Sequence, residues 1–349
     1  MYSADSRSTA AGQSRSRRED VRGMFCSTCS RWIPAYSSGP VVCPHCRTIQ
    51  PAPDGEQSCD FLSPTPPKRR QRGFLFKTAT ALLFFCLIST IGFGSLRFWT
   101  PPSTAFMRNH EGPYVYEYVS VDHISRNVLA AMILHEDDQL GPRVQAFDWG
   151  DFLGRARAYV TGTKQETYST IPQQLAKNLF FSPEPSAVRK AVEVYPASFL
   201  AFSLPDSRII ELYANYAEFG DGIYGVCAAS WYYFDTPPWF VSESEAAQLA
   251  GMLPNPKDVV RLQGGGVSHP ATAEYPSAAY HINGALNVDI PQRLRAWGGW
   301  ENVMESIGIH DSAGDHSDSR PSPTSCSVMP EGIRARLARE DPGFRSRWP

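Results

Sequence analysis

The chain runs to 349 residues, enough for one sizeable core plus accessory segments. Its 33 Lys and Arg against 35 Asp and Glu leave a formal charge of −2, and no nucleic-acid partner is expected. Split at residue 77, the balance is asymmetric: 12 basic and 6 acidic side chains precede it, 21 and 29 follow. Such a split is a membrane signature once the apolar stretch after it is read.

Residues 1–22 are rich in Ser and Arg and poor in apolar side chains, the composition of a disordered segment. Residues 23–48 form a first module. Cys26-x-x-Cys29 and Cys43-x-x-Cys46, separated by 13 residues, bring four thiolates to one tetrahedral site, where structural zinc is expected. Arg31–Pro34 and Pro40–Val42 are the expected strands of this zinc ribbon, and His45 is expected outside the ligand set. Four protein ligands leave no open position, so the module binds or scaffolds, with a cytoplasmic protein as its natural partner. Residues 49–77 read as a Pro-rich linker ending in a basic stop, Lys68, Arg69, Arg70, Arg72 and Lys77.

From Thr78 to Leu96 there are 19 residues without a charge, long enough to cross a hydrocarbon core of about 30 Å. With Phe98-Trp99 as interfacial anchor, residues 78–98 are expected to be a single transmembrane helix. The preceding cations place residues 1–77 in the cytoplasm and everything after Arg97 across the membrane. Cys59, Cys227 and Cys326 fall in no pattern, so no disulfide framework is expected of the outer part.

Residues 120–260 read as a mostly helical domain. Helices are expected at Val121–His135, Trp149–Val160, Ser207–Glu218 and Val226–Phe234, and at Glu245–Leu253 behind a Ser242/Glu245 capping box. Between them lies STIPQQLAKNLFFSPEPSAVRKAVE, residues 169–193. As helix, it sets Ser169, Gln173 and Lys177 on one stripe beside Gln174, with Leu175, Leu179 and Phe180 on the buried side. Arg189, Lys190 and Glu193 repeat the pattern, cations one turn from a carboxylate. Periodicity decays after residue 258, which leaves 261–309 as an extension of uncertain structure and 310–349, rich in Ser, Pro, Asp and Arg, as a disordered tail.

Two acidic positions stand out chemically. Glu136-Asp137-Asp138 closes an apolar helix, where the dipole disfavours carboxylates, and Glu193 sits beside two cations. That pair suits acid–base work at a sugar, and equally glycosyl transfer, in which a base activates a hydroxyl while cations hold a phosphate leaving group. His135-Glu136 is not a zincin motif, since no second His stands four residues on.

These residues carry a family resemblance. STIPQQLAKNLFF resembles S-T-I-x-Q-Q-L-A-K-N-L of the family 51 peptidoglycan glycosyltransferases, RKAVE resembles their R-K-x-x-E, and Glu136-Asp137 takes the E-D of their first motif. RIIELYANYAEFGDGIYGVCAASWYYF and EAAQLAGMLPNP match the following two stretches, in order, across residues 128–257. The match is closest to monofunctional, membrane-anchored members. No S-x-x-K with K-T-G follows, so no transpeptidase domain is expected.

The resemblance implies a lysozyme-like helical fold and polymerisation of lipid II into glycan strands, with the membrane, lipid II and nascent glycan as partners. It implies Glu136 as general base and Glu193 as the second essential carboxylate, orienting a diphosphate or a divalent ion such as Mg or Mn. Lys177, Arg189 and Lys190 would neutralise the diphosphate. Asp137, Ser169, Thr170, Gln173, Gln174 and Asn178 would complete the substrate site, Thr170 also capping the helix that Pro172 starts.

The sequence departs from the family in places. The first motif reads EDDQLGPRVQAFDW, with Leu140 for an aromatic residue and no histidine. Thr167 and Tyr168 replace two glycines, Pro172 a Ser or Thr, and Ala201 an acidic residue, while Pro196 should kink its helix. These departures define the alternative: a catalytically weak relative that binds lipid II or glycan and scaffolds through its zinc ribbon. A lysozyme-like hydrolase would give no reason for the Lys/Arg cluster.

Overall fold

The computed structural model describes residues 23–34, 40–50, 69–147, 150, 153–154, 157–158, 161–162, 169–182, 187–269, 277–310 and 322–348. The expected disorder of 1–22, most of the linker, most of the helix expected at Trp149–Val160 and the Thr167-Tyr168 substitution lie outside them. The chain divides into two units, Met1–Phe74 and Leu75–Pro349.

In the first unit two hairpins form, β1 (Gly23–Phe25) with β2 (Trp32–Pro34) and β3 (Val41–Val42) with β4 (Ile49–Gln50). Each turn is a CxxC knuckle built the same way. Cys26 N donates to Arg31 O and Ser30 N to Cys26 O, while Cys43 N donates to Thr48 O and Arg47 N to Cys43 O. Ser30 (φ 55°) and Arg47 (φ 60°), each just after the second cysteine of its knuckle, take the left-handed conformation that closes the turn. The ribbon therefore has two outer strands, β1 and β4, beyond the two expected, and reaches Gln50. Short strands flanking a cysteine turn carry too few residues for alternation to show.

Helix α1 spans Arg69–Gly94 and so begins inside the expected basic stop. Its apolar part, Phe76–Arg97, has a mean hydropathy of 1.9, yet only 11% of its most apolar window is buried within the protein. A core helix of a soluble protein would bury that surface; here it faces the bilayer. Its C-terminal end packs within the second unit: Phe93 lies against Phe180, Tyr195 and Phe199, and Ser89 Oγ lies 2.6 Å from the Tyr195 hydroxyl. Phe180, expected on the buried side of its helix, is consequently 45% exposed beside this anchor.

Beyond the membrane come α2 (Ala105–Arg108), β5 (Val115–Tyr116) and α3 (Arg126–Glu136). Then follow α4 (Ile171–Phe180), α5 (Ala187–Val192), α6 (Val194–Ser203) and α7 (Asp206–Tyr216). The α5–α6 break sits at Glu193, where Pro196 has no N–H to offer the Val192 carbonyl. A hairpin, β6 (Glu218–Gly220) and β7 (Ile223–Tyr224), joins β5 in a sheet of order β5-β7-β6, with β5 parallel to β7. Gly225 (φ 80°) then turns the chain into α8 (Gly225–Phe234), and a Cβ there would lie 2.6 Å from Asn215 O. Every residue of α8 is buried, as its unbroken apolar sequence requires of a central helix. The Ser242/Glu245 capping box opens α9 (Glu243–Met252), as expected.

The C-terminal third differs from expectation. The extension is ordered as α10 (Ser277–Gly284), a π-helical turn (Ala285–Asp289), α11 (Ile290–Trp297) and α12 (Trp300–Ser306). The widened turn precedes Pro291, and the resulting change of phase explains the loss of helical periodicity. Residues 322–348, expected as part of a disordered tail, are ordered too. A disulfide joins Cys227 of α8 to Cys326 across 99 residues. Helix α13 (Glu331–Glu340) buries Ile333 and Leu337, and Trp348 packs against Trp231, Trp239 and Phe240. A covalent tie and a few well-placed apolar side chains outweigh the polar composition.

Candidate active site

Thr170 caps α4: its hydroxyl oxygen accepts from Gln173 N, and Gln173 Oε1 accepts from Thr170 N at 3.0 Å. Pro172 fits because first-turn N–H groups have no partner within the helix. The cap sets the phase of the helix, and the expected stripe forms. Ser169, Gln173, Gln174 and Lys177 line one side of a cavity of about 460 Å³, joined there by Glu136, Lys190 and Glu193.

Glu136 ends α3, and Asp137 departs from it in direction. Asp137 makes a bidentate pair with Arg143 (2.7 Å twice) and accepts from Ile171 N at 3.0 Å, pinning the start of α4 to the end of α3. Expected among the substrate-binding groups, it is instead committed to these contacts and is absent from the cavity lining. Glu136 faces the cavity and accepts from Gln174 Nε2 at 2.6 Å; Gln174 Oε1 accepts from the Tyr213 hydroxyl at 2.7 Å. Burial raises the Glu136 pKa, opposed by the Gln174 hydrogen bond and the Lys177 charge.

The cationic end is paired. Glu193, 1% exposed, lies 2.9 Å from Arg189 Nε and 3.4 Å from Lys190 Nζ. Lys190 also donates to Ser169 Oγ at 2.9 Å. Lys177 lies 5.5 Å above the Phe106 ring, its pKa lowered by burial against the pull of Glu193. Arg189, which also donates to Ser182 O, stands behind Glu193 and does not line the cavity. Thr170 is likewise a cap. Asn178 donates to Tyr216 O and lines a second cavity of about 250 Å³, which shares Gln174 and Lys177 with the first.

Sequence reasoning missed the opposite wall. His135, Leu253, Pro254, His281, Asp289 and Arg293 complete the larger cavity, three of them from the C-terminal extension. Arg293 donates to the Leu134 carbonyl, and His135 Nδ1 lies 4.0 Å from Asp289 Oδ2. Burial pushes the His135 pKa down to about 4, against the Asp289 charge, so the imidazole is neutral near pH 7. The available signal was the spacing His281, Asp289, Arg293, obscured by the π turn. Nothing in the local sequence marks Tyr213 as the partner of Gln174.

The four module cysteines converge as their spacing requires. One sulfur from each of Cys26, Cys29, Cys43 and Cys46 falls within 4.8 Å of all the others, with 3.4 Å between Cys26 and Cys46 and 3.6 Å between Cys29 and Cys43. Tetrahedral zinc with Zn–S bonds of about 2.3 Å needs sulfurs about 3.8 Å apart, so the set fits. Around Glu193, among the described residues, no comparable donor set gathers; its carboxylate is occupied by two cations.

Residues 106–273 match the family described as Transglycosylase. The chain is 38% identical over 189 residues to a biosynthetic peptidoglycan transglycosylase of Shewanella frigidimarina, covering 54% of this chain and 83% of that protein. It is 35% identical over 200 residues to the one from Mannheimia succiniciproducens, covering 54% and 81%. Against the one from Bordetella pertussis the identity is 33% over 231 residues, covering 60% and 95%.

Proposed function

Since the chain belongs to the biosynthetic peptidoglycan transglycosylases, with one membrane-spanning helix as its anchor, we propose that it polymerises lipid II into glycan strands. The observation that carries this reading is one cavity holding a buried, pKa-raised carboxylate, Glu136, together with Lys177, Lys190 and Glu193. Glu136 takes the proton of the acceptor 4-hydroxyl, whose oxygen attacks C1 of the donor with inversion as undecaprenyl diphosphate leaves. Lys177 and Lys190 meet the diphosphate charge, and Glu193, held by Arg189, sets the position of Lys190. Ser169, Gln173 and Gln174 line the donor side, while Thr170, Asn178 and Asp137 hold the frame. Glu193 and its surroundings do not form a cation site by themselves, so no step runs through a divalent ion.

The catalytic domain lies outside the plasma membrane. The cations before the span support this, and so does the Cys227–Cys326 disulfide, which needs an oxidising compartment. The cytoplasmic module holds one structural zinc ion and docks a protein partner. Metal analysis of the reduced full chain should find one zinc per molecule, lost in Cys43→Ser.

The deciding experiment incubates the purified full chain with labelled lipid II. Glycan ladders that vanish in Glu136→Gln support the proposal. Intact lipid II that is nonetheless bound would make the protein a lipid II-binding scaffold, and cleavage of preformed glycan a hydrolase.

A further inference from the structure

A second group of metal-ligating side chains lies apart from the cysteines and from the Glu136 cavity lining. His110 follows α2, Glu218 opens β6, and Asp221 sits in the turn before β7. One donor atom from each falls within 4.8 Å of the other two. The His110 and Glu218 side chains are buried, 8% and 5% exposed, whereas Asp221 is exposed to solvent.

A direct His–Glu contact does not account for this arrangement. His110 Nδ1 lies 3.9 Å from Glu218 Oε1, beyond hydrogen-bond reach, and the Tyr224 hydroxyl is 3.4 Å from the same nitrogen. The Glu218 carboxylate meets the Gly222 N–H and the Tyr224 hydroxyl, but its Oε1 is buried without a hydrogen-bond partner. A buried carboxylate oxygen left in that state is disfavoured unless something between the side chains satisfies it. Gly222 (φ 69°) folds the turn tightly onto the segment after α2; a Cβ there would lie 2.9 Å from Pro113 O and 3.1 Å from His110 Nε2. The three donors are thus gathered by backbone geometry.

We propose that His110, Glu218 and Asp221 bind a divalent first-row cation. Metal–ligand distances of about 2.0–2.2 Å bring ligands to about 3.0–3.5 Å from one another, so small side-chain adjustments close the present spacing. One imidazole and two carboxylates suit Mn²⁺ or Zn²⁺, and three protein ligands leave positions for water. The ion satisfies Glu218 Oε1 and ties the segment leaving the membrane to the β6–β7 hairpin. Its surroundings connect to the cavities: Glu218 and Lys257 line the smaller one, and Phe106 of α2 lies beneath Lys177.

Mn²⁺ is the probe, because a four-thiolate site selects softer ions. The full zinc-loaded chain in detergent is titrated with Mn²⁺ and followed by electron paramagnetic resonance. One bound Mn²⁺ with a nitrogen coupling from imidazole is the expected result. Asp221→Asn, at an exposed position, should weaken binding at least about tenfold, and His110→Gln should remove the nitrogen coupling. Absence of bound Mn²⁺ would leave only a loose His–Glu ion pair and overturns the proposal. So does binding unaffected by either substitution, or binding lost in Glu193→Gln but kept in His110→Gln. Lipid II polymerisation is not the readout, so the result stands whatever the glycosyl-transfer assay gives.

Discussion

Gln174 donates to Glu136 at 2.6 Å with an amide whose orientation is set from behind by the Tyr213 hydroxyl, 2.7 Å from Gln174 Oε1. The hydroxyl claims the carbonyl end, so the N–H₂ end must face the carboxylate. Tyr213 itself is 1% exposed and touches the reaction only through Gln174.

Tyr213→Phe removes that orienting bond without changing ring packing. Loss of one hydrogen bond of about 1 kcal/mol predicts a roughly fivefold fall in kcat. The pH profile carries the sharper signature. A general base works ionised, and burial raises the Glu136 pKa, so activity falls as pH drops through a value above the ordinary glutamate pKa of about 4.3. Weakening the Gln174 bond, which opposes that rise, moves the acid limb to still higher pH. Rates of lipid II consumption across pH for wild type and variant check this; coincident acid limbs would rule out the relay.

The disulfide between Cys227 and Cys326 closes a loop with a sequence separation of 99 and fastens the C-terminal segment to α8. Reduction, or Cys326→Ser, should cost about 2–4 kcal/mol of stability. Because the Trp231 indole donates to Cys326 O and α13 follows directly, residues 322–348 should become the first site of proteolysis. Thermal unfolding with and without reductant, with mass analysis of early fragments, tests both parts.

Gly251 sets how closely α9 meets α10. A Cβ there would lie 2.6 Å from Ile282 Cα and 3.0 Å from Ala285 Cβ. Gly251→Ala should therefore cost about 1–3 kcal/mol as α10 is pushed away. His281 and Asp289, which line the cavity, move with it. Given the proposed reaction, the expected kinetic effect is a higher KM for lipid II, accompanied by a lower Tm; an unchanged KM at lowered Tm would mean that this wall does not touch substrate.

Local pattern carried much of the design. Ser169, Gln173 and Lys177 share a face because 3.6 residues make a turn, and they line the cavity as their spacing predicts. Four cysteines in two knuckles converge because each knuckle closes on its own backbone hydrogen bonds. The membrane helix follows from length and apolarity, both countable along the chain.

What needed the tertiary structure was every feature that depends on two distant stretches meeting. Glu136 and Asp137 are neighbours in sequence, yet only packing turns one to the cavity and the other to Arg143 and Ile171 N. Cys227 finds Cys326, and Asp289 and Arg293 join the cavity lining, across separations that no periodicity spans. Periodicity and ligand spacing are local and can be read along the chain. Burial, side-chain direction and long-range pairing are decided when the chain closes on itself, and they distribute the roles in this cavity.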